Sequence, residues 1–282
     1  MTRITIGIAV LLVLTGCASL MNSATSRMAD NLTLAILNQT DLETVRAGAP
    51  AYLLMIDGLI EGSPDNTDLL LAGTRLYSSY TSAFIADEDR AKRLASKSFA
   101  YARTALCNEI SSLCDATTVR PDDFLDGLAS TDAGDVPVLY GFATAWASWI
   151  QANRSDWNAL AGLPKLTALF EQCVALDEQF DYGGAHIYLG VLSTQLPPSL
   201  GGKPEKGRIH FERAIEISAG KNLMIKVLMA ENYTRLVFDR ELHDQLLQTV
   251  LSDPAEFPGL TLINTLAKQQ ASILLAESSD FF

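Results

Sequence analysis

Reactive side chains are scarce in this 282-residue chain, and their spacing narrows the chemistry open to it. There are three histidines, His186, His210 and His243, and four cysteines, Cys17, Cys107, Cys114 and Cys173. An enzyme needs acid, base and nucleophile, or several metal ligands, gathered into one constellation. No Gly-x-Ser-x-Gly elbow, His-Glu-x-x-His helix or phosphate loop occurs, and the cysteine and histidine spacing matches no zinc motif. His186 falls at a helix start and His210 on a helix flank, where surface or packing roles suffice. His243, among Arg240, Glu241, Asp244 and Gln245, is expected on a solvated face. The carboxylate pairs Asp87/Glu88 and Asp122/Asp123 fall near helix starts, where free backbone NH groups account for them. The expectation is a non-enzymatic chain with no catalytic residue, metal or cofactor.

The cysteines point elsewhere. Cys107 and Cys114 bracket Asn108–Leu113, a turn that a local disulfide would staple, although two independent buried thiols fit as well. Cys173 lies in an apolar helical stripe and reads as core. Cys17 follows a positive start (Met1-Thr2-Arg3), an apolar run from Ile4 to Leu14, and the triplet Leu14-Thr15-Gly16. That run is too short to span a bilayer but suits a secretory signal. The order predicts a signal peptide over residues 1–16 and lipidation of Cys17, giving a membrane attachment through acyl chains. Residues 17–29 then form the lipidated cysteine and a polar tether. Ala18 after the cysteine favours the outer membrane over the inner, with the chain facing the periplasm.

Composition sets outer bounds. The chain is 48% hydrophobic and 19% charged, which excludes disorder and leaves a large core in residues 30–282. No uninterrupted apolar stretch of membrane-spanning length is read after residue 17. A net charge of −12 argues against binding a nucleic-acid backbone.

Apolar residues recur at three- and four-residue spacing over 30–46, 49–61, 65–86, 89–106, 136–151, 164–179, 185–194, 204–218, 223–238, 240–251 and 260–277. Glycine and proline punctuate the breaks at Gly62-Ser63-Pro64, Arg120-Pro121, Pro197-Pro198, Gly201-Gly202 and Asp253-Pro254. Asp65 and Asp87 are placed to cap helix starts. No stretch alternates with period two, so the fold class is all-α.

The helices pair in a pattern. A first helix carries Leu71-Ala72-Gly73, Leu139-Tyr140-Gly141 or Tyr188-Leu189-Gly190. A second carries an aromatic and, three residues on, a small residue: Phe99 and Ala102, Phe170 and Cys173, Phe211 and Ala214. Small residues let two helices approach while the aromatic fills the groove beside them, as in tetratricopeptide (TPR) repeats. An array of degenerate TPR-like helical hairpins, an α-solenoid, is the expected arrangement, in one domain over 30–282.

Ligand- or partner-facing candidates follow from side-chain type and loop position. Pro197, Pro198, Gly201 and Gly202 give a stiff loop able to hold an unusual path, either as a connector or as a contact surface. Tyr182, Tyr188 and Tyr233 offer apolar faces with polar tips, and Arg235 adds a cation; for Tyr188 a place in the repeat core is the favoured reading. Trp146, Trp149 and Trp157 cluster near one helix end, as core or as a ligand cage.

Several runs resemble one family, the T component of TRAP transporters: Ala51-Tyr52-Leu53-Leu54-Met55-Ile56-Asp57-Gly58-Leu59, Ser63-Pro64-Asp65-Asn66 and Leu69-Leu70-Leu71-Ala72-Gly73. The likeness continues through Tyr182-Gly183-Gly184-Ala185-His186-Ile187-Tyr188-Leu189-Gly190, Leu196-Pro197-Pro198-Ser199-Leu200-Gly201-Gly202 and His210-Phe211-Glu212-Arg213-Ala214. It ends at Asn232-Tyr233 and Phe238-Asp239-Arg240-Glu241-Leu242. The resemblance implies a lipid-anchored periplasmic repeat protein, oligomeric with its own kind. It would bind the solute-binding protein of a TRAP transporter and hold or pass a small hydrophobic ligand. A general envelope scaffold that binds proteins alone is the alternative, and a hydrolase with a noncontiguous site a third.

Overall fold

A computed structural model describes Arg27 and residues 31–282; the expected signal peptide, Cys17 and the rest of the tether lie outside the described residues. Among these, the regular elements are all helices and none is a strand. After a helical stretch at 31–37 come α1 (Leu42–Gly62), α2 (Thr67–Phe84), α3 (Glu88–Glu109), α4 (Pro121–Ala129), α5 (Val136–Ala152), α6 (Leu163–Asp177) and α7 (Phe180–Ser193). Then follow α8 (Pro204–Ile217), α9 (Leu223–Met229, continued by a π-helical turn Ala230–Thr234), α10 (Arg240–Ser252) and α11 (Thr261–Ala276).

Side-chain chemistry sets the starts. Asp41 accepts from the NH groups of Glu43 and Thr44, Asp87 from Arg90 and Asp239 from Leu242, each satisfying an orphan donor of the first turn. The cap of α2 is Asn66 and not Asp65: its Oδ1 takes the Leu69 NH at 3.1 Å. Proline opens α4, α5, α6 and α8, where its missing NH removes nothing. The break expected between 46 and 49 does not exist. α1 runs through Pro50, and the Arg46 carbonyl that Pro50 cannot serve accepts instead from the Tyr80 hydroxyl at 3.4 Å.

Each long helix packs on the next: α1 on α2, α2 on α3, α3 on α5, α5 on α6, α6 on α7, α7 on α8, and α9, α10 and α11 on one another. One apolar cluster runs from Val45 to Leu189, with Phe124, Phe142, Phe170 and Trp146 near its middle. Two smaller clusters hold α8–α11 together, one around Leu223, Leu247, Val250 and Leu274, the other around Phe211, Ile225 and Met229. The chain then returns on itself. Leu262 of α11 joins the first cluster, and the Gly259 NH donates to Asn38 Oδ1 at 2.7 Å.

The paired aromatic residues are buried, as are Gly73 and Gly190, while Gly141 is half-buried, but only one pair meets as its spacing suggests. A side chain at Gly190 would strike the Phe211 ring at 2.8 Å, so α7 and α8 cross there as closely as backbone allows. Gly73 instead faces Ile60 and Tyr101, and Gly141 faces Leu71 of α2. Cys107 and Cys114 are joined by a disulfide at the end of α3. The turn beyond is tied by Lys165, whose ammonium donates to the carbonyls of Ala116 at 3.0 Å and Val119 at 2.5 Å. Residues 157–177 reach membrane-spanning length and apolarity by composition. They are two helical pieces meeting at 161–162, and Leu166, Leu169, Phe170 and Cys173 belong to the main core.

Candidate functional site

The sequence candidates do not converge on one cavity. Tyr188 stacks on Phe170 with centroids 4.6 Å apart and sits edge-on to Tyr140, in the core. Burial, and after it the Asp181 charge, push its phenol up to about 12. Tyr233 is buried in the π-helical turn and donates to Glu205 Oε1 at 2.9 Å, tying that turn to the start of α8. Arg235, two residues on, lies over the Phe281 ring at 4.5 Å, and its buried Nε has no hydrogen-bond partner among the described residues. Trp146 and Trp149 stack on Phe99 in the core, whereas Trp157 stands apart and 83% exposed, so the three form no cage.

Two candidates have a shaped backbone. Around Pro197 and Pro198 the chain makes a short 3-10 turn, closed by Gly201 at φ 89°. A Cβ at Gly202 would lie 1.6 Å from the Leu196 carbonyl oxygen, which no other residue tolerates. The Lys203 NH then returns to the Ser193 carbonyl at 3.1 Å. The loop is fixed, exposed and carries Leu196 outward. At the other end of α7, Asp181, Tyr182 and Gly183 are left-handed in succession, with φ of 50°, 57° and 77°. Each non-glycine residue there costs roughly 1–2 kcal/mol. The turn brings Gly184 against the Tyr140 hydroxyl, whose acidity burial and then the Asp181 charge suppress. Tyr182, partly exposed, donates to the Pro258 carbonyl at 3.3 Å and meets Phe257 edge-on.

Two polar clusters were not anticipated. Asp57 of α1 accepts from Tyr77 at 2.8 Å, from Tyr101 at 2.6 Å and from Lys97, binding three helices at one carboxylate. Burial pulls the Lys97 ammonium down, but Asp57 and the two phenols outweigh it and hold it above its ordinary value. Asp57 belongs to a run singled out above, yet nothing in the sequence marks residues 77, 97 and 101 as its partners. The second cluster joins His186 and His210, whose Nδ1 atoms lie 2.8 Å apart. Glu178 accepts from His186 Nε2 at 3.4 Å and is clasped by Arg213 through Nε, at 3.0 Å, and Nη2. Burial, and then His186 beside it, hold His210 down at about 4. His243 is the clearest correction: it is fully buried, because α10 turns it toward Phe282 while its Nδ1 pairs with Asp244 at 2.9 Å.

Hollows are modest. An apolar one lined by Ile36, Leu37, Leu53, Leu76, Phe84 and Leu262 holds about 20 Å³, room for a water and not for a solute. An open groove of about 520 Å³ at the turn from α1 to α2 is lined by Ser63, Asp65, Asp68 and Glu109 and is polar.

No curated protein matches the chain. The family model TAtT, TRAP transporter T-component, matches residues 38–282, from just before α1 to the last residue. That family is an accessory of a transporter, which points to a non-enzymatic role. Matched over nearly the whole described length, the chain belongs to the TRAP transporter T-component family.

Proposed function

We propose that this T component is anchored through a lipid on Cys17, faces the periplasm from the outer membrane, and docks the solute-binding subunit of its transporter. The observation that carries the docking role is the pair of exposed turns at the two ends of α7, the helix between them being largely covered. The Leu196–Gly202 loop and the left-handed turn at Tyr182 are held in conformations that a folding helix would not choose. Backbone strain of that kind persists where the surrounding structure over-determines it, and such places concentrate at sites that engage other molecules. Preformed loops also lose little entropy on association. An apolar hollow of about 20 Å³ supports a protein-docking role ahead of ligand passage within one chain. The TPR-like reading of the helix pairs rests on the Gly190–Phe211 crossing.

Native mass spectrometry of the full chain from detergent, alone and with solute-binding proteins of the same organism, tests the proposal. A defined complex with one such protein, weakened by Leu196→Asp, is the expected result. A species indifferent to all of them moves the reading to a general envelope scaffold. Labelled palmitate incorporated by the wild-type chain and not by Cys17→Ser tests the anchor.

A further inference from the structure

We infer that His186 and His210 form a chelating site for a divalent transition-metal ion, Zn²⁺ or Cu²⁺, bound through their two Nδ1 atoms with water completing the coordination. The imidazoles come from successive helices and face each other nitrogen to nitrogen at 2.8 Å. A tetrahedral ion with bonds of about 2.0–2.1 Å would hold the two nitrogens about 3.3 Å apart. A rotation of the half-buried His210 ring supplies the difference.

Three further features favour an ion there. Glu178, clasped by Arg213, takes a hydrogen bond from His186 Nε2, so the His186 Nδ1 lone pair points at His210. A carboxylate behind an imidazole is the usual outer-shell device that orients a metal-bound histidine and raises its basicity. Next, the tight crossing of α7 and α8 at Gly190 and Phe211 lies one turn from His186 and one residue from His210, so the backbones that carry the two rings are held close while the His210 ring can still turn. Finally, the charges nearby are Glu178, Glu216 and Glu171 against Arg213 and Lys206, an excess of one negative charge. Without metal, one Nδ1 must donate to the other. On binding, the proton on His210 moves to its Nε2, so both lone pairs reach the ion with no net proton released. Among the described residues no group of three or more histidine, cysteine, aspartate or glutamate side chains is gathered to hold a metal. The site is therefore a two-residue chelate, open to exchange, and not a structural zinc centre.

The test uses the full chain in detergent, titrated with Zn²⁺ and separately with Cu²⁺ against a chromophoric competitor at neutral pH. One equivalent should bind, and His186→Gln or His210→Gln should each weaken binding at least about tenfold. Glu178→Gln should weaken it by about tenfold, in the range known for outer-shell partners. Asp65→Asn, in the acidic groove, should leave it unchanged. No binding by the wild-type chain, or binding that survives both histidine substitutions, overturns the inference. If a variant fails to fold, imidazole resonances of the wild-type chain decide. Substoichiometric Cu²⁺ should broaden His186 and His210 and spare His243; uniform broadening, or none, also overturns it.

Discussion

The helices α1–α7 and the helices α8–α11 are held together differently. The first set shares one apolar cluster rich in aromatic rings, where Phe99, Phe142, Trp146 and Trp149 lie within contact of one another. The second has two smaller clusters and leans on buried polar groups. Asn264, fully buried, accepts from the Leu223 NH at 2.9 Å and donates to the carbonyls of Lys221, at 2.9 Å, and Ala255, at 3.0 Å. His243, Asp244 and Ser278 make a second polar tie. Apolar packing is tolerant of shape so long as volume is kept, whereas a buried amide is satisfied in one geometry and costly otherwise. Apart from the Asp57 carboxylate that ties α1, α2 and α3, the first part of the chain is thus specified more by volume and the second more by direction.

Substitutions can break or sharpen that contrast. Phe170→Ala should cost the most, about 3–5 kcal/mol in urea unfolding, while Phe170→Leu should recover a good part of it. Asn264→Leu, close in size, should still cost about 3 kcal/mol, because it strands a buried NH and two carbonyls. A loss below about 1 kcal/mol there would remove the claim that direction specifies the second part. The double change Cys107→Ser with Cys114→Ser opens a loop of sequence separation 7 and should cost about 2.5 kcal/mol in non-reducing buffer. Dithiothreitol should then have no further effect on the double variant. The smallest effect concerns acid. Burial raises the Asp244 carboxyl, but hydrogen bonds from Ser278 and His243 outweigh it and hold the group below its ordinary value. Its unfolded form therefore binds a proton first as pH falls. Its stabilisation is present above about pH 4 and lost below, and thermal melts of Asp244→Asn should show a flatter acid limb than wild type.

Much of the scaffold was legible because helix starts and apolar stripes are local. Asp87, the N-terminal prolines and the buried Phe99, Phe170 and Phe211 follow from near neighbours in sequence. Two of the errors, at Pro50 and at His243, share one cause, which is a partner far along the chain. Pro50 does not break α1 because Tyr80 reaches its orphaned carbonyl. α4 was not marked because it is nine residues long and holds only Phe124, Gly127 and Leu128 inward. His243 looked solvated among charged neighbours until Phe282 and Ser278 covered it. The site suffered most. Pro197–Gly202 could be singled out because proline and glycine announce backbone shape locally. The left-handed run at 181–183 and the meeting of His186 with His210 depend on how α7 docks, which no spacing rule encodes.

The link between Asn38 and Gly259 spans 221 residues, and it gives the molecule an order of completion. A chain is made from its N-terminus, so Ile36 and Leu37 emerge early and lack the partner that Leu262 later supplies. The end nearest the proposed lipid is consequently the last to be finished. Until α11 arrives, the run of helices is open, like a clasp before its pin is pushed home, with its apolar rim uncovered. A chain cut short before residue 259 would lack Leu262 and the Gly259 NH that meets Asn38, and would leave that apolar rim uncovered.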